Sequence, residues 1–403
     1  MTIAIIGGGA AGVLAGIGAG TKEKVIIFEK NEKLMKKVYI TGKGRCNLTN
    51  DCPVEDIISS LVNNPYFMYS SLYQFSNEDM MKMVEEDVPL KVERGGRVFP
   101  VSDKSSDIMK ALERRLHKNN VKILYNTKVN AIEKKEKFMV YTNKKNYVAD
   151  KVIIATGGIT YPATGSTGDG YEFASKMGHK IIRPRPGLIA LNVKEDVSDL
   201  EGISLRNIGI SYRKEELFYD EIGEVLYTKR GLSGPLILTL SSLISKSPGG
   251  IIHLDLKPGL TKEQLDRRLL RDFEKYANRD IKNGLKDLLL NKMIHEVLTK
   301  SKIPEDRKIN QLTRKERIDL VETIKDLRYH ILGTEDAHRG IITAGGVHVD
   351  EVDPSTMESK YVENLYFAGE ILDIDGLTGG FNLQIAWSTG FVAGKSAGGK
   401  DNE

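Results

Sequence analysis

Ile3-Ala4-Ile5-Ile6-Gly7-Gly8-Gly9-Ala10-Ala11-Gly12 is the stretch that decides how this chain folds. Its first four residues form a continuous apolar run, the pattern of a strand that is buried on both faces. The glycines that follow have the spacing G-x-G-x-x-G. Gly7 can form a tight turn, Gly9 lets the backbone approach a pyrophosphate, and Gly12 lets the next helix pack closely against the strand. Phosphates would then meet a helix N-terminus, where unpaired N–H groups and the helix dipole favour negative charge.

A second apolar strand, residues 25–28, ends on the acid Glu29. A carboxylate at this place can accept hydrogen bonds from both hydroxyls of an adenosine ribose. Strand, glycine turn, helix and acid together predict a dinucleotide site rather than a purely structural turn. Glu29 argues against a 2′-phosphate, and these residues leave both FAD and NAD open.

Length and composition describe an ordinary globular protein. The chain has 403 residues, which favours two or three domains, with 40% hydrophobic and 28% charged residues. The net charge of +4 comes from 59 basic and 55 acidic residues spread along the chain. This balance gives little support for a nucleic-acid partner, which we expect to be absent, or for a membrane partner.

Cysteine usage and the chain start indicate a reducing compartment. Cys46 and Cys52 lie too close together to staple a large fold and lack the C-x-x-C spacing, so we interpret both as packing residues. Met1 is followed at once by the first strand, which leaves no room for a signal peptide, and no run approaches 18 apolar residues. We expect a cytoplasmic protein, and no metal site is predicted.

Two later segments repeat the pattern of a buried strand that runs into glycine. They are residues 151–154 and 365–367. In an open parallel sheet such strand ends lie at the carboxyl edge, where ligands bind. The residues that follow these strands are Ala155, Thr156, Gly157, Gly369 and Glu370.

Two glycine-rich loops complete the candidate site. Residues 39–50 combine glycines with Arg45 and short polar side chains, as in a loop that approaches an anionic ligand, although an ordinary surface loop has a similar composition. Gly379 and Gly380 open the last helix. Its N-terminus would offer unpaired N–H groups to an anion or an electron-rich ring edge.

The middle third of the chain has a different pattern. Residues 188–256 read as short strands and turns, and 261–277, 285–299 and 313–327 as helices. Nothing between Lys151 and Gly340 repeats the opening G-x-G-x-x-G unit. A dedicated NAD(P)H domain is therefore not expected.

With both ends read, the chain resembles the BaiN-like and aminoacetone oxidase-like family of FAD-dependent oxidoreductases. The resemblance covers nearly the whole length and rests on the first glycine motif with Glu29 and on residues 42–50, 343–347 and 365–384. It implies an α/β fold in which a Rossmann-type, glutathione reductase-like FAD-binding domain is interrupted by a β-barrel-like domain and a small helical domain. The FAD-binding domain is expected at residues 1–187 and 341–403. The β-barrel-like domain is expected at residues 188–257 and 328–340, and the helical domain at residues 258–327.

The resemblance also implies the course of FAD. The ribose would lie at Glu29, the pyrophosphate at the first glycines, the ribityl chain near Glu370, and the pyrimidine end of the ring beside residues 379–383. The chain departs from the family at residues 41–43, where an extra Ser or Gly is often found. The implied cofactor-binding residues are Gly7, Gly9, Ala10, Ala11, Gly12, Glu29, Lys30, Gly42, Arg45, Cys46, Asn47, Val129, Ala155, Thr156, Gly157, Gly369, Glu370, Gly379, Gly380, Phe381, Asn382 and Leu383.

We therefore expect an enzyme that moves a hydride between FAD and a small organic substrate, with NAD(P)H as a transient co-substrate. The alternative is an amine or aminoketone oxidase that uses oxygen. An RNA-associated flavoprotein is a rival from another class, but the basic residues of the helical insert alternate with acids and lack interleaved aromatics. A further rival is an interaction protein in which FAD is only structural.

No acid or base stands out as catalytic. Tyr161, His338 and Arg97 are candidates because each lies in a glycine-bearing or polar loop near a proposed sheet edge. For each, the structural interpretation is favoured over the catalytic one: a structural tyrosine, a satisfied histidine and a surface arginine.

Overall fold

The computed structural model describes residues 1–399, so the last four residues of the expected 341–403 segment lie outside the described part. The chain forms two compact units. The first comprises Met1–Leu188 and the chain from Asp336 onward, and the second is Ile189–Glu335. Each unit has its own hydrophobic core.

The strands are numbered in chain order. The first unit begins with β1 (Thr2–Ile6), β2 (Lys24–Phe28), β3 (Thr49–Asn50), β4 (Leu61–Asn63), β5 (Leu90–Glu93), β6 (Arg97–Pro100), β7 (Lys122–Leu124), β8 (Val129–Lys134), β9 (Phe138–Thr142), β10 (Asn146–Ala149), β11 (Lys151–Ile154) and β12 (Ile181–Gly187). The second unit contains β13 (Leu191–Val193), β14 (Ser204–Lys214), β15 (Leu217–Thr228), β16 (Gly231–Ser233), β17 (Gly250–Asp255) and β18 (Leu327–Thr334). The first unit resumes with β19 (Ile342–Val347), β20 (Leu365–Phe367) and β21 (Asp375–Gly376).

The α-helices are numbered in the same way. The first unit begins with α1 (Ala10–Gly18), α2 (Lys36–Ile40), α3 (Val54–Ser59), α4 (Tyr69–Gln74), α5 (Asn77–Glu85), α6 (Ser105–Lys118) and α7 (Asp169–Lys176). The second unit contains α8 (Pro235–Leu243), α9 (Lys262–Lys275), α10 (Ile281–Gly284), α11 (Asn291–Lys300) and α12 (Arg314–Lys325). The first unit ends with α13 (Phe381–Gly398).

A five-stranded parallel sheet in the order β20-β11-β1-β2-β7 organises the first unit. Strands β1, β2, β11 and β20 are short and almost wholly buried, as expected when both faces of a parallel sheet are covered. In register, Ile6 lies between Phe28 and Ile154, and Ile154 lies beside Phe367. The carboxyl ends of four strands therefore form one straight edge.

Helices α1 and α13 pack with their backbones in contact. A Cβ built at Gly390 would lie 2.3 Å from the carbonyl oxygen of Ala11, and one at Gly394 would lie 2.1 Å from that of Ala15. Residues four apart lie on the same helix face, so small residues line both sides of the contact. The first and last helices of the chain are thereby fixed against each other.

Smaller antiparallel pieces surround the parallel sheet in the first unit. Strands β3, β6 and β5 form one sheet, β4 pairs with β21, and β12 pairs with β19. Strands β8, β9 and β10 form a ribbon. The β4–β21 and β12–β19 pairs join segments of the early chain to segments of the late chain.

The second unit is built on a closed antiparallel barrel in the order β13-β16-β15-β14-β17-β18. Along β18, Leu327, Tyr329 and Ile331 are buried while the residues between them are exposed. Tyr329 shares a 2.9 Å hydrogen bond with Tyr227 and donates to Glu296 of α11 at 3.0 Å. Buried hydroxyls are thus satisfied inside an otherwise apolar core.

Helices α9 and α12 of the second unit begin with capping boxes on Thr261 and Thr313. At the second of these, the hydrogen bond from the Thr313 backbone lowers the pKa of Glu316 to about 2. The predicted fold class, a Rossmann-type α/β domain with a barrel-like insertion and helices, is confirmed. None of the described helices is long and apolar enough to cross a bilayer.

The α1–α13 contact makes a testable prediction for stability. We expect Gly394→Ala to lower the free energy of unfolding by about 1–3 kcal/mol, because the added methyl group would overlap the Ala15 carbonyl and force the helices apart. The measurement is the urea midpoint followed by circular dichroism.

Gly259→Ala is the matched control, because a Cβ at Gly259 meets no atom within 4 Å. Equal urea midpoints for the two variants would show that α1 and α13 can move apart without a loss in the free energy of unfolding.

Candidate functional site

The carboxyl edge of the parallel sheet brings four segments of the chain into one row. Gly7, Glu29, Ala155 and Ala368 each follow the last residue of a strand. The row is tied by backbone hydrogen bonds, including Gly7 N–H to Phe28 at 2.9 Å and Ala368 N–H to Ile154 at 3.1 Å. This is the edge at which open parallel sheets bind ligands.

The three motif glycines have different surroundings. A Cβ at Gly7 would lie 2.6 Å from the Ala155 carbonyl oxygen, and one at Gly12 would lie 1.9 Å from the Gly7 carbonyl oxygen. A Cβ at Gly9 would meet nothing within 4 Å. Gly7 and Gly12 are therefore required for packing, whereas Gly9 leaves open space in front of α1. Ala10 and Ala11 form the first turn of α1 behind that space.

The Glu29 carboxylate is buried and held by three donors. Its Oε2 accepts from Gly8 N–H at 2.9 Å, and its Oε1 accepts from the backbone and side-chain nitrogens of Asn31 at 2.7 and 2.8 Å. A carboxylate has about four acceptor positions, and these three donors occupy three of them. About one acceptor position is therefore free on Oε2. The side chain is oriented in advance for a hydroxyl donor.

Two other implied residues lie near Glu29. Lys30 forms an ion pair with Asp169 at 2.8 Å. Val129 is buried at the start of β8, two residues after Thr127, whose N–H donates to the Glu29 carbonyl at 2.9 Å. The Lys30 charge is thus paired with a carboxylate, and Val129 is a buried apolar residue.

The loop that precedes β3 contains Gly42, Arg45, Cys46 and Asn47. The Arg45 guanidinium donates to Glu93 at 2.8 Å, which raises its pKa, and lies 4.0 Å from the centre of the Phe99 ring. Its charge is therefore already paired. Burial raises the pKa of the Cys46 thiol to about 12, so this cysteine is an inert packing residue.

Two buried polar atoms of the site lack a hydrogen-bond partner among the described residues. They are Oδ1 of Asn47 and Oγ1 of Thr156. Thr156 stands between Ala155 and Gly157, just beyond β11. An unsatisfied buried polar atom costs about 1–3 kcal/mol, so both atoms fit a site that is completed by a polar ligand.

An ion pair between Lys37 and Glu370 crosses the site. The Lys37 ammonium donates to both Glu370 oxygens at 2.8 and 2.9 Å and to Thr160 Oγ1 at 2.9 Å. Glu370 also accepts from Thr343 N–H at 2.6 Å. Gly369, the preceding residue, packs against Ala11, since a Cβ there would lie 2.7 Å from the Ala11 side chain. The Glu370 charge is thus neutralised and its side chain is fixed.

Sequence reasoning missed Lys37. The residue lies in a visibly basic stretch, Lys30–Lys37, but its partner is 333 positions away. Thr343 belongs to a glycine motif that the sequence makes visible, although that motif does not indicate its donor role. Composition gives no signal for either contact.

The N-terminus of α13 forms the other end of the site. Gly380 precedes the helix in a left-handed conformation, with φ of 106°, and Gln384 N–H makes the first bond back to it at 3.1 Å. The N–H groups of Phe381, Asn382 and Leu383 therefore have no acceptor within the helix. No acid lies in the first turn, so the positive end of the dipole is uncompensated there.

Polar side chains fix this helix start. Asn382 exchanges hydrogen bonds with Gly376 at 2.9 and 2.7 Å. Asn50 donates to the carbonyls of Gly379 at 3.0 Å and Gly95 at 2.9 Å. Thr49 donates to buried Gln384 at 2.7 Å. The loop between β21 and α13 is therefore rigidly held.

The three weak catalytic candidates do not form one cluster. Tyr161 N–H donates to the His338 carbonyl at 3.2 Å, so those two residues are neighbours, and the His338 side chain is exposed. Arg97 is exposed on the β5–β6 hairpin, where its Nε donates to the Arg94 carbonyl at 3.0 Å. The structure gives none of them a partner that would mark it as a proton donor.

Together these features fit FAD. The open space at Gly9 suits a pyrophosphate, Glu29 has an acceptor position for a ribose hydroxyl, and the start of α13 offers N–H groups to the ring edge. The unsatisfied atom of Thr156 follows β11 at the edge of the parallel sheet, and that of Asn47 lies in the loop that precedes β3. Among the described residues, no group of three or more His, Cys, Asp or Glu side chains could hold a metal ion.

Comparison with known proteins places this site in context. The profile of the HI0933-like protein Rossmann domain matches residues 1–396. The chain is 31% identical to a 3-dehydro-bile acid delta(4,6)-reductase of Clostridium scindens, with 98% of each chain aligned. It is 30% identical to a ribosomal RNA dihydrouridine synthase of Escherichia coli, with 96% of each chain aligned. The resemblance drawn from the sequence is confirmed.

A solved structure supports the same fold. A flavocytochrome c3 fumarate reductase in its open conformation superposes with a TM-score of 0.51 over 98% of this chain and 78% of that one. The two sequences are 16% identical. This likeness concerns the fold alone.

The different surroundings of Gly9 and Gly12 predict that folding and cofactor binding can be separated. We expect Gly9→Ala to leave the apoprotein's thermal midpoint unchanged but to weaken FAD binding by about ten- to a hundredfold, because the added methyl group would occupy the open space that a phosphate needs. A loss of this size corresponds to about one weakened charge-assisted hydrogen bond. FAD affinity is measured by quenching of flavin fluorescence.

Gly12→Ala is the contrasting variant, because its Cβ would overlap the Gly7 carbonyl, and we expect it to lower the thermal midpoint itself. Tight FAD binding by Gly9→Ala would contradict a pyrophosphate at this turn.

The Lys37–Glu370 pair predicts non-additive effects. We expect Lys37→Met to lower the free energy of unfolding by about 1–3 kcal/mol, because it leaves the partly buried Glu370 carboxylate without its cation. The double variant Lys37→Met with Glu370→Gln should recover most of that loss. Chemical unfolding of Lys37→Met, Glu370→Gln and the double variant gives the coupling energy, and strictly additive losses would show that the two side chains act independently.

Proposed function

The chain belongs to the HI0933-like Rossmann family of FAD-dependent oxidoreductases, and on that premise we propose that it is a reductase of carbon–carbon double bonds conjugated to a carbonyl. Its substrate is an unsaturated organic compound, and NAD(P)H is its transient reductant. FAD, when bound, supplies the hydride for such a reaction.

The names of two relatives support this reaction class. One is a delta(4,6)-reductase of 3-dehydro-bile acids, and the other is a dihydrouridine synthase. Both names describe the addition of hydrogen to a double bond. In a 3-keto steroid and in uracil alike, that bond is conjugated to a carbonyl, which makes its far carbon electrophilic. We propose this shared reaction class for the present chain, but we assign it neither relative's substrate.

The observation that carries the proposal is the N-terminus of α13. Three N–H groups without helical acceptors, in a first turn free of acids, favour negative charge at the ring edge they face. Asn382 and Asn50 fix the loop, so these donors need no reorganisation when charge develops. Such N–H groups would stabilise the negative charge that the cofactor holds between its reduction and the reduction of the substrate.

The reductant follows from the organisation of the chain. Because no second G-x-G-x-x-G unit occurs between Lys151 and Gly340, NAD(P)H has no domain of its own. The nicotinamide and the substrate would then use the same face of the cofactor in turn. Tyr161 and His338, whose backbones are hydrogen-bonded beyond β11, stay sequence-based predictions for the proton donor to the substrate.

An anaerobic spectrum tests the proposal. We expect NADH or NADPH to bleach the visible flavin band of the purified holoprotein, and an enone such as a 3-keto-4-ene steroid to restore it. A band that stays oxidised with both nicotinamides, but is bleached by an amine or aminoketone, would replace this function with the oxidase alternative. Bleaching by dithionite alone serves as the control that the cofactor is redox-active.

A further inference from the structure

A compact loop leaves the carboxyl edge of the parallel sheet after β11. Its ends meet where Gly168 N–H donates to the Gly158 carbonyl at 3.1 Å. Gly157 and Gly168, at the two ends, have positive φ of 73° and 80°. Surface loops of this size with adjacent ends are compact units that often carry function. We refer to residues 159–167 as the strap.

The first half of the strap is anchored on the β20 side of the sheet edge. Ile159 N–H donates to Thr343 Oγ1 at 2.9 Å. The buried Thr160 hydroxyl accepts at 2.9 Å from Lys37, the ammonium that also holds Glu370. Because Glu370 lies just beyond β20, this anchor joins the strap to that end of the candidate site.

The second half of the strap is held by two side chains, which we call the latch. Asn31 Nδ2 donates to the Thr164 carbonyl at 3.1 Å. Lys30 donates to Thr167 Oγ1 at 2.5 Å and pairs with Asp169, just beyond the strap, at 2.8 Å. Among the described residues, the latch makes every hydrogen bond between this half of the strap and a distant segment of the chain.

The anchor and the latch lie on opposite sides of the candidate cofactor site. Lys30 and Asn31 follow β2, whereas Glu370 lies beyond β20. The sheet order places β11 and β1 between those two strands. The strap therefore spans the part of the sheet edge that includes the glycine turn after β1.

Asn31 also belongs to the ribose end of the site. The Nδ2 atom that donates to Thr164 donates to Glu29 Oε1 at 2.8 Å. A side-chain amide has two N–H donors, so one can hold the carboxylate while the other holds the strap. The conformation of Asn31 that orients Glu29 is therefore the one that holds the strap.

We propose that Asn31 is a positioning residue that couples recognition of the cofactor ribose at Glu29 to closure of the strap. A ribose hydroxyl bonded to Glu29 would fix the carboxylate, and Asn31 with it, so that the strap stays across the bound dinucleotide. Lys30 is the second part of the latch and acts through Thr167 and Asp169. The proposal concerns the retention of FAD and goes beyond the reaction proposed above.

The latch is the part of the strap that can open. The Lys30 and Asp169 side chains are 24% and 27% exposed, and ion pairs that water reaches contribute little to stability. Thr160, in the anchor, is fully buried. Opening at the latch would therefore admit FAD while the strap stays joined to the sheet at Thr160.

Release of FAD from the full-length holoprotein tests the latch, followed by the return of flavin fluorescence after dilution. We expect Asn31→Leu to speed release about five- to a hundredfold, the range for one or two lost hydrogen bonds. Lys30→Met should speed release about two- to fivefold, because an exposed ion pair contributes less. Lys36→Met is the matched control and should leave the rate unchanged, since the ion-pair partner of Lys36 is Glu32.

Limited proteolysis reports on closure of the strap itself. Ala163 is exposed, and elastase, whose pocket accepts small residues, can cleave after it when the strap opens. We expect FAD to slow this cleavage in the unaltered protein and in Lys36→Met. Asn31→Leu should lose most of that protection. The masses of the fragments identify the cleaved bond.

The coupling to Glu29 is tested with Glu29→Gln, alone and combined with Asn31→Leu. Because Asn31 acts through Glu29 in this proposal, the two effects on the logarithm of the release rate should be less than additive. A purely structural role for Asn31 would instead lower the thermal midpoint of the apoprotein and give additive effects.

Unchanged release in both Asn31→Leu and Lys30→Met would overturn the proposal. So would faster release by Asn31→Leu with full protection of Ala163 by FAD, because Asn31 would then act on the ribose and not on the strap. If Asn31→Leu destabilises the apoprotein, Lys30→Met still decides the question, since it removes a partly exposed ion pair without touching Glu29.

The strap and the proposed reaction can fail separately. Release and proteolysis need neither a reductant nor turnover. A flavin band that no nicotinamide bleaches, in a protein whose latch variants release FAD faster and lose protection, would overturn the reductase and support the strap. Bleaching by NAD(P)H in a protein whose latch variants release FAD at the unaltered rate would support the reductase and overturn the strap.

Discussion

The contact between α1 and α13 is the constraint on which the rest of the first unit depends. Helix α1 follows the glycine turn of the first strand, and α13 is the last element of the described chain. Because Gly390 and Gly394 bring α13 onto the carbonyls of Ala11 and Ala15, the two helices run in the same direction and their N-termini point to the same side of the first unit. A wider separation would move the glycine turn at Gly9, where we propose the pyrophosphate, away from the start of α13, where we propose the ring edge.

The parts of the site whose residues lie close together in sequence could be predicted from the sequence. The Rossmann-type fold class could be predicted because an apolar run, three glycines and Glu29 lie within thirty residues. Each of these residues acts through its neighbours in sequence or on the adjacent strand. Gly12 packs on Gly7, and Glu29 accepts from Gly8 and Asn31.

The parts that could not be predicted depend on pairings between distant segments. Arg45, in a glycine loop, looks like an anion-binding residue, yet its guanidinium is bonded to Glu93. Lys37 looks like surface charge, yet it neutralises Glu370. Residue type fixes what a side chain can bind, but the tertiary fold decides which partner reaches it first. The roles of charged residues are therefore the hardest to predict from the sequence.

Cofactor binding should be coupled to the folding of the first unit in particular. Every residue implied in FAD binding belongs to that unit, and they come from both the early and the late chain. A ligand that binds only the folded state stabilises it by RT ln(1 + [L]/Kd). FAD would thus add to the α1–α13 contact by joining the same two regions of the chain. The second unit has its own barrel and hydrophobic core.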